Sequence, residues 1–180
     1  MKYCYLLLCF VLILESKGAK APKDRLAFAE VIVPIMEEKC HSCHSEAKNK
    51  DKGGLWMDTF ENMLIGGDSQ DGEEFRTLVP GNSKDSYMIE VIALPKDDDM
   101  HMPPQKKTQM ESHEIRLMTW WVDKIPEGKT LKDQTLAQMG ASDEILAAAA
   151  MLASPEKRRE MEAAQKTAQL QKLAKRDALQ

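Results

Sequence analysis

Cys40-His41-Ser42-Cys43-His44 is the stretch on which the reading of this chain turns. Two cysteines three positions apart, with a histidine directly after the second, have the C-x-x-C-H spacing of covalent haem attachment. On a tight turn each thiol reaches one of the two haem vinyl carbons, and the next imidazole lies under the iron. Random placement of the chain's four Cys and four His in 180 positions yields this pattern with a probability of about 0.002. Two other chemistries use closely spaced cysteines. A thioredoxin-like dithiol follows a strand in an α/β pattern, and a zinc knuckle needs a second ligand pair. The sequence around Cys40 offers neither context.

Upstream, Pro22 to Val31 reads as a helix with Leu26, Phe28 and Val31 turned inward, and Pro34 is expected to break or restart it. Ile35 to Lys39 then delivers the chain to Cys40. Downstream, Ala47 to Gly54 is polar and ends in two glycines, the composition of a surface loop. Thr59 caps an expected short helix over Phe60 to Ile65, stopped by Gly66-Gly67. Val79-Pro80-Gly81-Asn82 is a turn, and Tyr87 to Leu94 a further helix. An irregular acidic, proline-bearing loop from Asp97 to Thr108 leads to a helix from Ser112 to Lys124, in which Ile115, Met118, Trp121 and Val122 form a core-facing stripe. With no strand pattern of comparable length, the fold class expected is all-α, a small helical haem domain.

At the other end of the argument is Met102, in His101-Met102-Pro103-Pro104. The prolines fix φ and remove backbone donors, so the loop loses less entropy in presenting a side chain to an iron. Most of the 12 methionines are packing residues, and Met36, Met88 and Met118 read that way. His101 is the rival ligand next door; neighbours in an extended loop point opposite ways, so one of the two reaches the iron. The remaining marked residues read as structural: His41 facing solvent between the cysteines, His113 exposed on a first helical turn, Gly53-Gly54 as a turn, Asp97 to Asp99 as a solvated loop.

Several of these motifs, taken in order, resemble the planctomycete-type cytochrome c domain of exported bacterial proteins. The similarity runs from about Phe28 to Asp123 through Val33-Pro34-Ile35-Met36, Cys40 to His44, Gly53 to Thr59, Val79 to Asn82, Met102-Pro103-Pro104, Glu114-Ile115 and Trp121-Val122-Asp123. It implies covalent haem c on Cys40 and Cys43, with His44 and Met102 as axial ligands. Glu111 departs from the Ser or Thr cap usual before the last helix, and Lys124-Ile125-Pro126 from the usual ending.

Composition bounds the rest. At 180 residues the chain suits one core plus an appendage. A formal charge of −4 without a basic block gives no footprint for nucleic acid. Lys2, the apolar run Tyr3 to Leu14 and a small, polar stretch to Ala21 follow the order of a secretory signal, and the run is short of the roughly 20 residues of a membrane span. Losing residues 1–21 removes three lysines and one glutamate, a net +2, and leaves −6. Only Cys40 and Cys43 then remain. The expected organisation is a signal peptide over 1–21, a haem domain over 22–126, and a C-terminal helical appendage of unknown role over 127–180, with helix starts at Ser142 and Ser154-Pro155. The function expected is one-electron transfer in the periplasm with a redox protein as partner, without substrate chemistry of its own and without a stable membrane span. The alternatives are the haem module of a larger oxidoreductase, a peroxidase, or a haem-based redox or gas sensor.

Overall fold

Pro34 shapes the way the first long helix is built. Lacking an N–H, it cannot donate to the carbonyl four residues back, and its ring crowds that carbonyl. In the computed structural model the turn before it, Phe28–Ile32, widens into a π-helix, and α1 (Val33–Lys39) restarts with the proline in its first turn. Residues 20–68, 76–128 and 131–153 are described, together with helical positions 159–160, 163, 166–167, 170–171 and 176. The expected signal segment lies outside them except for Lys20 and Ala21, as does Ser154-Pro155. Val31, Ile32, Ile35 and Met36 are buried on the face this helix presents to the core, whereas Leu26 and Phe28 are only half-buried.

α2 (Phe60–Ile65), α3 (Tyr87–Ala93) and α4 (Ser112–Lys124) stand where hydrophobic periodicity puts them. The Thr59 hydroxyl accepts from the Asn62 N–H at 3.1 Å and caps α2. Glu111 does the work of the expected Ser or Thr at the start of α4. Its carboxylate accepts from the Glu114 N–H, and Glu114 accepts from the Glu111 N–H at 2.7 Å, a reciprocal capping box. The Val79-to-Asn82 turn docks on the far end of α4, with the Gly81 N–H on the Val122 carbonyl and the Ser83 N–H on Asp123 Oδ1. At the centre Trp121 is fully buried. Phe28 stacks on it with centroids 5.3 Å apart, and Phe60 meets it edge-on at 6.4 Å.

The protein is helix-rich, but not strictly all-α. β1 (His44–Ser45) and β2 (Lys50–Asp51) pair antiparallel, with His44 opposite Asp51. Asn49, at φ 52°, reverses the chain between them, in a region that Asn tolerates better than most residues.

Packing also continues past the boundary expected at Pro126. Leu136, Ile145, Ala148 and Ala149 belong to the same buried core as Trp121. α5 (Asp143–Met151), capped by Ser142, lies against α4. The polar contacts explain its hold. The start of the N-terminal helix has no capping side chain of its own, and its Phe28 and Ala29 N–H groups are each met at 2.9 Å by the Asp133 carboxylate. Arg25, only 4% exposed, donates to the Ala149 carbonyl at 2.9 Å, placing a cation at the negative end of α5.

Candidate haem site

The C-x-x-C-H stretch is the C-terminal cap of α1, folded into a tight turn. Cys40 and His41 both donate their N–H to the Met36 carbonyl, at 2.8 and 2.9 Å, and Cys43 and His44 both donate to the Cys40 carbonyl at 3.0 Å. The segment Leu55 to Asp58 is laced to this turn. Met57 N–H donates to the His44 carbonyl at 3.2 Å, and Asp58 accepts from the Ser45 hydroxyl at 2.7 Å and the Glu46 N–H at 2.6 Å. Burial alone would raise the Asp58 carboxyl; these two donors outweigh it and hold the group below its ordinary value. Gly53 and Gly54 enter this segment at φ 65° and 63°, the left-handed region that glycine adopts without strain, so the backbone here favours the double glycine.

His41 departs from its expected place in solvent. It is 5% exposed, and its Nε2–H donates to the Met57 carbonyl at 3.2 Å. Burying the ring lets it tie the cysteine turn to the Leu55 segment; Ser42 is the residue left outside.

Between this turn, α3 and the loop after it lies a cavity of about 390 Å³. Cys40, Cys43, His44 and Met102 all line it, and Val91, Ile92 and Met118 are among its apolar walls. Met102 is held there by its N–H on the Val91 carbonyl at 3.0 Å. His101 is not among the lining residues. It is buried on the other side of the loop with Nε2 2.8 Å from Gln109 Oε1. Met100, which sequence reasoning passed over, also lines the cavity but is 53% exposed.

One further residue was invisible in the sequence because two of its partners are remote. Lys39, directly before Cys40, is buried and lines the cavity. Its ammonium lies 3.0 Å from Glu38 and 3.3 Å from the buried Glu114, and donates to the Gln109 carbonyl at 3.1 Å. Burial would depress this ammonium; the two carboxylates outweigh it and raise it above its ordinary value.

The chemistry of the donors fits a haem. The Cys40 thiol is pushed up to about 12, chiefly by burial and then by Glu114 and the neighbouring Cys43. A dithiol built for exchange depends on a depressed thiol, the opposite of the direction at Cys40. His44 is lowered by burial, against the opposing pull of the Leu55 and Lys52 backbone, and so favours the neutral imidazole that ligates iron. Its Nδ1 is buried and makes no well-aligned hydrogen bond. Among the described residues no three His, Cys, Asp or Glu side chains gather to hold a bare metal ion. A largely apolar group that takes two thiols, an imidazole and a thioether would find all four in this lining, held by Cys40, Cys43, His44 and Met102.

The family model described as planctomycete cytochrome C matches residues 40–106, the span from the cysteine turn through the Met102 loop. That segment is similar to a planctomycete-type cytochrome c domain, a class associated with haem binding and electron transfer. No curated protein and no solved structure matches the chain. No helix among the described residues is long and apolar enough to cross a membrane.

Proposed function

We propose that the chain is an exported one-haem electron carrier, with haem c joined by thioethers to Cys40 and Cys43 and ligated by His44 and Met102. The observation that carries this reading is the gathering of two thiols, an imidazole and a thioether around one apolar cavity of about 390 Å³. Haem bound there supplies a one-electron ferric–ferrous couple. The residues do the rest. Val91, Ile92 and Met118 exclude water and lower the local dielectric, and the cysteine turn, braced by Asp58 and His41, holds His44 still. A neutral thioether opposite imidazole favours the ferrous state compared with two imidazoles, so Met102 ligation implies a relatively high potential. Residues 1–21 serve as the export signal, the motifs that bind haem lie within 22–126, and the partner is another redox protein.

The deciding experiment is acid-acetone extraction of protein matured with a haem-attachment system. Haem stays with the wild-type chain and is lost from Cys40→Ala/Cys43→Ala. Haem extracted from wild type overturns covalent attachment. A reduced form that is low-spin and inert to carbon monoxide separates a carrier from a peroxidase or gas sensor. N-terminal sequencing of the secreted protein should find residues 1–21 missing.

A further inference from the structure

Met102 occupies a loop with little regular secondary structure of its own. Pro103 and Pro104 have no N–H to offer, and their carbonyls need donors from elsewhere. The Lys107 N–H donates to the Pro104 carbonyl at 2.8 Å, and one side chain reaches both proline carbonyls. The Gln109 amide nitrogen lies 3.0 Å from the Pro103 carbonyl, 3.1 Å from that of Pro104 and 3.1 Å from that of Lys107. With three acceptors at that end, the amide has only one orientation: NH2 toward the loop and oxygen toward His101. His101 therefore carries its proton on Nε2 and donates it to Gln109 Oε1 at 2.8 Å. The backbone of Gln109 is anchored in turn, its carbonyl accepting from Lys39 Nζ at 3.1 Å, and Lys39 ends the helix that delivers Cys40.

We propose that Gln109 is a positioning residue of the haem site, clasping the loop that presents Met102 and holding the His101 ring on the far side of that loop by its Nε2–H. This rests on Met102 as distal ligand. Through Lys39, the clasp also couples the distal loop to the cysteine turn, so both sides of the cavity share one hydrogen-bonded frame. Loss of the clasp frees the loop without removing the ligand, so Met102 yields more readily to an added ligand.

The test is imidazole titration of the ferric holoprotein, followed by the Soret shift and by loss of the near-infrared sulfur-to-iron band. Gln109→Ala should raise imidazole affinity at least about tenfold with covalent haem content unchanged. Gln109→Glu keeps the His101 partner but sets an acceptor against three carbonyls, and should move affinity the same way; it decides the matter if Gln109→Ala does not mature. Ile145→Ala, which destabilises the core away from the site, should leave imidazole affinity where it is. A wild-type affinity in the Gln109 variants, or an equal rise in Ile145→Ala, overturns the clasp. Met102→Ala separates the two readings. If it abolishes the near-infrared band while the Gln109 variants bind imidazole like wild type, Met102 stands and Gln109 falls. If wild type lacks the band and Met102→Ala changes nothing, both fall.

Discussion

Ending the chain at Pro126 should unfold it, while ending it at Ala153 should not. The longer truncation removes Leu136 and Ile145, both within 6% of full burial, and Ala148 and Ala149, both within 2%. Burying a Leu or Ile side chain contributes roughly 1.5–3 kcal/mol and each alanine methyl roughly 0.8 kcal/mol, so the apolar loss alone is about 5–8 kcal/mol. It also strips Arg25 of its carbonyl acceptors and the Phe28 and Ala29 N–H groups of Asp133, leaving a buried cation and two helix donors to find water. Domain stabilities of about 5–15 kcal/mol leave little margin for that. The assay is urea unfolding of both truncated holoproteins, followed by far-ultraviolet circular dichroism and the Soret band. With a slope of about 2 kcal/mol per molar, the midpoint of the Pro126 form should fall by at least about 2 M relative to the Ala153 form, or the protein should fail to fold. Equal midpoints would refute the reasoning and restore Pro126 as the end of the folded unit.

Other perturbations probe the site and its frame. Lys39→Met leaves the Glu114 carboxylate buried without its cation and should cost about 3–5 kcal/mol in chemical unfolding, whereas Lys39→Met/Glu114→Leu should recover much of it; no recovery would mean the pair is not what matters. Because the Lys39 ammonium is raised in the folded state, its contribution is complete below the ordinary value of 10.5 and disappears as pH rises through the higher folded value, so Lys39→Met should flatten the alkaline limb of a stability profile. Asp58 has the opposite sign: its carboxyl is depressed on folding, its contribution is present above 3.8 and lost as pH falls through the lower folded value, and Asp58→Asn should weaken the acid limb. Met102→Ala should open the ferrous iron to carbon monoxide and His101→Ala should leave it closed; the reverse result would move the distal ligand to His101.

Local rules carried the reading a long way. Thr59, the stripe on α4 and the glycines after Ile65 placed helices because capping and periodicity act within a few residues. His41 shows where that reasoning ends. Lying between two cysteines it looks like a surface residue, and only the Leu55 segment folding back over the turn gives its ring a partner in the Met57 carbonyl. The segment after Pro126 shows the same limit on a larger scale. Its alanine-rich composition has few bulky apolar residues and reads as an appendage, yet small residues are what allow α5 to lie close against α4.

The chain's own order of residues determined that it is helix-rich, that Cys40, Cys43 and His44 lie on one turn, and that Met102 sits in a stiff loop, because each depends on spacing or on proline. Tertiary structure decided what faces what. Asp133 caps a helix that begins 105 residues earlier, Arg25 closes one 124 residues later, and Gln109 orients the Met102 loop from a position tied to Lys39. These are single side chains answering backbone groups that their own neighbours leave unsatisfied. No local pattern marks them, since a buried donor or acceptor requires only that some partner arrive, and the packing of the whole chain selects which one does.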